Sequence, residues 1–162
     1  MAATRIHFDS PPKTGRMMLR AAISRKSGLG EGENIPRFEA RMQDVAVDKL
    51  GAYQSICNFA HSDRVPITMP QIVAAPLHIA VLTHPLFPLP AMGIVHVSSQ
   101  MTQNRQILSD ERLDIVVWLE GQRLARKGIE LDVMTEINVG GVTVWESVTT
   151  VLSMSTNGHG QK

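Results

Sequence analysis

Cysteine and aromatic residues are the two classes that this sequence has least of. A single cysteine, Cys57, stands among 162 residues, so the chain can form neither an internal disulfide nor a zinc site built on cysteines. Aromatic residues make up 4% of the chain and hydrophobic residues 43%, so aliphatic side chains and the nine methionines must fill the core. The length is sufficient for one domain with a proper core.

An excess of charge of either sign is also lacking. The 16 basic and 15 acidic residues leave a formal net charge of +1, and the basic residues are scattered, which argues against a nucleic-acid partner. No stretch approaches the roughly 18 apolar residues of a membrane span, and residues 1–13 contain no apolar core of a signal peptide. These absences predict a soluble, cytoplasmic protein with no membrane span.

The strongest pattern present is the alternation of apolar and polar residues in the last third of the chain. It is interrupted by Gly140-Gly141, a pair that suits a two-residue hairpin turn because glycine adopts positive φ without a clash. Pairing across this turn places Val139 opposite Val142 and puts the large aliphatic residues on one face. The same register pairs Thr135 with Glu146, which is either a sheet end near solvent or part of a site.

The remaining segments predict two strands, a short helix, a buried helix and two further strands before the hairpin. The strands are expected at residues 16–25, 37–45, 94–103 and 113–124, the short helix from an Asp48 N-cap to Phe59, and the buried helix at residues 76–84. The buried helix is apolar on nearly all sides and has Pro76 at its first position. This order predicts one α+β domain over residues 1–154, with a leading hairpin, a curled antiparallel sheet around a central helix, and a disordered tail at 155–162.

Three segments carry a resemblance to a known family: Tyr53–Phe59, Ser62–Thr68 and Pro76–Thr83. Over roughly residues 45–154 the chain resembles the MaoC-like dehydratases, also called (R)-specific enoyl hydratases. The resemblance implies a hot-dog fold and pairing of two such folds in a homodimer or a hetero-oligomer. It also implies acyl thioesters of coenzyme A or acyl carrier protein as substrates, with no further cofactor.

The family adds water to, or removes it from, the α–β bond of an acyl thioester, with an aspartate and a histidine as an acid–base pair. Its motif is Asp-x-Asn-Pro-x-His. Matched position by position, Asp63 falls on the catalytic aspartate and Pro66 on the proline, whereas Val65 replaces the asparagine and Thr68 replaces the histidine. A threonine hydroxyl cannot act as a base near neutral pH, so the resemblance leaves open whether the chain is an active enzyme.

Two histidines are candidates for the missing partner of Asp63. His78 is expected in the first turn of the buried helix, near a bound thioester, and His61 lies two residues before the aspartate. All three residues also have an interpretation without a catalytic role. His78 would be a neutral core histidine, His61 a solvated loop residue, and Asp63 the start of an Asx-turn. The enolate oxygen would be held by backbone N–H groups at the start of the buried helix, and the predicted substrate-binding residues are Thr68, Ala75, Pro76 and Leu77.

The other polar and aromatic residues are not expected to take part in catalysis or in metal binding. Cys57 is expected to be a thiol packed on the apolar face of its helix, and His96 an exposed residue on an outward-facing strand surface. Trp118 and Trp145 have the parity of polar residues on their strands. The histidines show no metal-ligand spacing, so no metal site is expected.

Three functions therefore stay open. The first is an acyl dehydratase or enoyl hydratase with Asp63, His78 and His61 as catalytic residues. The second is a catalytically silent acyl-binding protein or a non-catalytic subunit of a heteromeric dehydratase, and the third is a thioesterase on the same fold.

Overall fold

The computed structural model describes residues 4–23, 26, 28–29 and 32–154 of the chain, and the predicted tail at 155–162 lies outside them. The described elements follow in the order β1 (Thr4–Phe8), α1 (Thr14–Ile23), β2 (Phe38–Val45), α2 (Leu50–Ile56), α3 (Met69–Thr83), β3 (Ile94–Gln103), β4 (Leu113–Ala125), β5 (Gly128–Val139) and β6 (Val142–Met154). The strands predicted at residues 37–45, 94–103 and 113–124 are confirmed to within one residue at each end.

The six strands form one mixed sheet in the order β1-β2-β4-β5-β6-β3. β1 runs parallel to β2, and all other neighbours are antiparallel. Helix α3 packs chiefly on β2, β4 and β5, and α1 packs on α3. The largest fully buried side chains of this core include Phe38, Met42, Leu77, Phe87, Ile115, Leu131, Ile137 and Trp145. The edge strands β1 and β3, at the two ends of the sheet, have no buried residue.

The central helix α3 begins two turns earlier than the sequence predicted. The prediction placed its first residue at Pro76, but the helix starts at Met69 with Pro70 in its first turn, where a missing N–H has no intrahelical partner to lose. Pro76 lies inside the helix, where it removes a backbone hydrogen bond at a cost of about 3 kcal/mol. Complete burial of Ala74 and Leu77 against the sheet helps to offset this cost.

The predicted leading hairpin is wrong. Most of the segment predicted as its first strand is helix α1, and the strand that precedes β2 is β1, which pairs with it in parallel. Met17, Leu19 and Ala21 alternate by two residues, as in a strand, but the residues that face the interior are four apart: Ala21 is buried and Met17 is half-buried. Arg, Met, Leu and Ala dominate the segment, and all four favour helix over strand.

The hairpin turn at Gly140-Gly141 is confirmed, with positive φ at both glycines. A β-bulge next to the turn then inserts one residue into β6, so Ile137 pairs with Trp145 instead of Val144. A shift of one residue reverses the two faces of a strand. Trp145, predicted on the polar-parity face, is fully buried, and its indole N–H donates to the carbonyl of Ile67 at 2.8 Å.

Helix α2 is shorter than predicted at both ends. It begins at Leu50 after Lys49, which adopts a left-handed conformation with φ of 63° and makes no side-chain cap, so the predicted N-cap at Asp48 is wrong. The helix ends at Ile56, and Cys57 is exposed at its C-terminus. The predicted packing of this thiol against the apolar face is therefore wrong as well.

Candidate functional site

The loop that carries Asp63 is held on two sides by hydrogen bonds. The Ser109 N–H donates to the Asp63 carbonyl at 2.8 Å, and the Val65 N–H donates to the carbonyl of Ile107 at 2.9 Å. From the other side, the buried Gln54 side chain donates to two carbonyls of the loop at 3.0 and 3.2 Å. These hydrogen bonds therefore fix the backbone around Asp63, while the Asp63 side chain is exposed to solvent.

Asp63 and His61 are not brought together by a hydrogen bond. The Asp63 side chain is exposed and makes no hydrogen bond or ion pair with any residue in the described ranges. His61 Nε2 lies 2.9 Å from the hydroxyl of Ser55 on α2. The carboxylate is thus available to a ligand, and the nearby imidazole is engaged by another element.

Thr68 lies directly before α3, at the position where the family motif has its histidine. Its hydroxyl is 2.7 Å from the phenol oxygen of Tyr53 on α2, and it makes no side-chain cap to the helix. This pair connects the start of α3 to α2. A neutral Thr–Tyr pair can donate or accept a hydrogen bond, but it cannot serve as a base near neutral pH.

His78 lies in the second half of α3, and its Nε2 is 2.7 Å from the hydroxyl of the buried Thr135 on β5. Burial, with a smaller contribution from the charge of His96, lowers the pKa of His78 from 6.5 to about 4. The imidazole is therefore neutral near pH 7. Thr135 pairs with the buried Ser147 rather than Glu146, so this polar pair lies inside the fold and not at a sheet end.

A partly buried polar network around Gln71 was not predicted from the sequence. The Ser147 hydroxyl donates to Gln71 Oε1 at 2.8 Å, and Gln71 Nε2 donates to the Thr149 hydroxyl at 3.1 Å. Thr149 in turn lies 3.2 Å from the hydroxyl of Ser99 on β3. The spacing of Gln71 and His78, seven residues apart on one helix, was a usable signal, but the assumed start of the helix at residue 76 concealed it.

The predicted substrate-binding residues Ala75, Pro76 and Leu77 lie in the middle of α3 and not at its N-terminus. The reasoning that placed free backbone N–H groups there is therefore wrong, since proline has none and helical N–H groups donate to the carbonyl four residues earlier. Leu77 is fully buried. The first turn of α3 begins after Thr68 instead.

A groove with a volume of about 620 Å³ lies on another side of α3. Its walls come from the end of β2, from α2, and from the connection between β1 and α1; they include Met42, Val45, Tyr53, Ile72, Val73 and Pro76. At 100° per residue, Val73 and Pro76 lie on a helix face well separated from the face of Gln71 and His78. The central helix thus has an apolar groove on one side and a polar network on the other.

Within the described residues, no group of three or more His, Cys, Asp or Glu side chains is placed to hold a metal ion. None of the helices described is long and apolar enough to cross a lipid bilayer. His96 is exposed as predicted, and its Nε2 lies 3.0 Å from the carbonyl of Ser98 on the same strand.

No family model matches the chain. The chain is 27% identical over 143 residues to 3-hydroxyacyl-thioester dehydratase X of Mycobacterium tuberculosis, a match that covers 87% of this chain and 51% of the relative. A crystal structure of HtdX from the same organism superposes with a TM-score of 0.66 at 27% identity, covering 72% of this chain and 51% of the other. The chain therefore spans about half the length of these relatives.

Two more distant structures share the fold. A truncated HadBC (3R)-hydroxyacyl-ACP dehydratase complex from M. tuberculosis gives a TM-score of 0.62 at 16% identity, covering 74% of this chain and 98% of the other. An (R)-hydratase from A. caviae gives 0.52 at 12% identity, with coverages of 76% and 98%. Together the comparisons confirm the predicted hot-dog fold and the predicted resemblance to MaoC-like dehydratases.

Proposed function

We propose that this chain is one hot-dog unit of a 3-hydroxyacyl-thioester dehydratase or enoyl hydratase, which acts on acyl thioesters of coenzyme A or acyl carrier protein. The proposal is supported by the similarity to 3-hydroxyacyl-thioester dehydratase X over most of this chain. It is supported as well by the placement of an unpaired carboxylate, Asp63, on the loop that leads into the central helix.

In the dehydration direction, the proton on Cα is removed, the Cβ–oxygen bond breaks, and the hydroxyl takes up a proton and leaves as water. Asp63 is the proposed acid–base residue, because its carboxylate is free to take one proton and return it. His78 and His61 are its proposed partners. His78 is hydrogen-bonded to the hydroxyl of Thr135, and His61 to the hydroxyl of Ser55. Either histidine would have to break this hydrogen bond before it could act with Asp63.

The developing enolate oxygen needs hydrogen-bond donors. The first turn of α3 supplies them, because the first N–H groups of a helix have no intrahelical acceptor. The Met69 N–H donates to the Pro66 carbonyl and Pro70 has none, so the N–H groups of Gln71 and Ile72 are the proposed donors. Thr68, at the same helix end, is proposed to contact the substrate, and Ala75, Pro76 and Leu77 shape the wall behind it.

The second candidate is a non-catalytic subunit that binds the acyl thioester beside an active partner. It is favoured by Thr68 in place of the motif histidine and by the lack of a hydrogen bond between Asp63 and an imidazole of the described residues. The relatives also favour this candidate, since HtdX is about twice as long as this chain and HadBC is a complex.

Pairing with a second hot-dog unit is part of the proposal, either in a homodimer or in a hetero-oligomer. Strand β3 ends the sheet, and seven of its ten residues are exposed and none is buried; Val95 and Val97 are 43% and 52% exposed. An edge strand without charged residues or prolines is a ready template for another strand. A cytoplasmic location, consistent with one exposed cysteine and thioester substrates, also stays a prediction.

The substitution Asp63→Asn tests the leading function. With crotonyl and longer enoyl thioesters, we expect the wild-type chain to hydrate the double bond and the variant to be at least about a hundredfold slower, since an acid–base residue contributes 10²–10⁴ in rate. Asp110→Asn, at another exposed aspartate, is the matched control. Unchanged turnover in the Asp63 variant would remove this residue from the mechanism.

The same preparations separate the alternatives. Thioester binding by calorimetry with no change in enoyl absorbance would identify a silent subunit, and release of free thiol would identify a thioesterase. If the chain neither binds nor turns over thioesters, both as purified and with a second hot-dog unit, the proposed function is wrong.

A further inference from the structure

The groove on the α2 side of α3 contains none of the proposed acid–base residues, although Ile72 and Pro76 belong both to its wall and to the proposed substrate site. Two large aliphatic side chains that line it, Ile56 and Ile72, are 85% and 58% exposed, although the wall around them is apolar. A volume of about 620 Å³ is within the range of small-molecule sites in proteins. The groove therefore has the size and the surface of a site for an apolar ligand.

The mouth of the groove carries mainly negative charge. Asp9, Asp44 and Asp48 line it together with one cation, Lys49. Asp44 lies 3.7 Å from Arg112, and Asp9 lies 3.6 Å from His7, so two of these carboxylates have only long, exposed partners. A ligand with a carboxylate or phosphate at this mouth would be repelled, whereas a cationic end would be attracted.

We propose that this groove binds an aliphatic chain with a cationic head group, with the chain packed against Ile72, Val73 and Pro76 and the head among Asp9, Asp44 and Asp48. The site lies on the side of α3 away from the Gln71–His78 network, so it is distinct from the polar face and goes beyond the proposed dehydratase function. Its ligand class follows from the charge of the mouth and the apolar wall.

Three ten-carbon probes with the same chain and different heads test the charge argument by calorimetry: decyltrimethylammonium, decanol and decanoate. We expect the ammonium compound to bind more tightly than decanol and decanoate to bind most weakly, with about tenfold between the two charged probes at low salt. Raising the salt concentration should reduce this difference, because the carboxylates at the mouth are exposed. Equal or tighter binding of decanoate would overturn the proposal.

The location of binding is tested by Ala52→Trp, which fills the groove from an exposed position on α2. Ala60→Trp makes the same change at an exposed alanine outside the groove and is the matched control. We expect at least about tenfold weaker decyltrimethylammonium binding in the first variant only. Asp48→Asn should weaken the ammonium probe and leave decanol unchanged. Equal losses in both tryptophan variants, or none in either, would show that the ligand is not in the groove.

A second copy of the chain is the rival occupant, because α1 exposes Leu19 and Ile23 beside Arg16 and Arg20. Sedimentation velocity of the wild type and of Ala52→Trp distinguishes the two. An oligomer that Ala52→Trp dissociates would overturn the ligand proposal, whereas an unchanged state together with lost probe binding would support it. Enoyl-thioester turnover measured in the same variants keeps this result separate from the fate of the dehydratase proposal.

Discussion

His78 is a largely buried ionisable side chain, and its surroundings favour the neutral imidazole. Its Nε2 is hydrogen-bonded to Thr135, and burial of the ring disfavours the imidazolium form. A neutral histidine hydrogen-bonded in the core was one of the two interpretations of this residue from the sequence. This environment has a measurable consequence whether or not His78 takes part in catalysis.

We predict that His78 makes the free energy of unfolding fall between neutral and mildly acidic pH. Folding lowers its pKa from 6.5 to about 4, so the unfolded chain binds the proton more tightly. The contribution is complete above pH 6.5 and is lost as the pH falls to about 4, which amounts to roughly 2 kcal/mol between pH 7 and pH 5. Urea unfolding of the wild type and of His78→Gln at both pH values measures it.

The His78→Gln variant should lose about that much of the pH dependence and keep the part due to other groups, such as His84, whose pKa burial and the Lys26 charge also lower. His61→Gln makes the same substitution at an exposed histidine and serves as the matched comparison. If His78→Gln retained the full pH dependence of the wild type, the imidazole would not be held neutral by the fold.

At the scale of elements, strand β6 shows where the sequence was sufficient and where it was not. The alternation and the glycine pair predict both strands and the turn, because these depend on local residue preferences. The bulge beside the turn does not follow from the alternation, and it reverses every inward and outward position of β6 beyond it. As a result Ser147 and Thr149 line the interior, and their network with Gln71 was not predicted.

For the helices, too, the sequence predicts the element but not its exact bounds. The apolar run of α3 predicts a buried helix, but the prediction began it at Pro76 and left out its first two turns. Packing on the sheet decides where this helix begins, and this packing cannot be deduced from the sequence of the segment alone. Of the candidate site, Asp63 and His78 could be named from the sequence, whereas Gln71 and its partners required the register of β6.

The reversed register predicts a contrast between two neighbouring residues of β6. Ser147→Ala should lower the free energy of unfolding by about 1–2 kcal/mol, because it leaves Gln71 Oε1 without its donor in the interior. Glu146→Ala should change it by less than about 0.5 kcal/mol, since Glu146 is exposed. Chemical denaturation of both variants measures the difference, and the register deduced from the sequence alone predicts the reverse order.

At the scale of the whole molecule, the sheet ends in two edge strands, β1 and β3, and neither has a buried residue. The inward residues of β6 are buried, whereas β3 beside it is the open part of the sheet. The polar network of Gln71, Ser147, Thr149 and Ser99 reaches that open part. A second hot-dog unit placed beside β3 would cover it, and relatives of twice this length have room for such a unit within one chain.

We predict that the wild-type chain pairs through β3, with itself or with another hot-dog unit, and that the double substitution Val95→Lys and Val97→Lys abolishes this pairing. Lysines on an edge strand oppose pairing because their charges cannot be buried against a second strand. Val142→Lys introduces the same charge at a valine that is 63% exposed beside the hairpin turn, away from the β3 edge, and should leave pairing intact. Light scattering across a concentration series measures the assembly. A Val95/Val97 variant that stays paired while unfolding like the wild type would place the interface elsewhere on the surface.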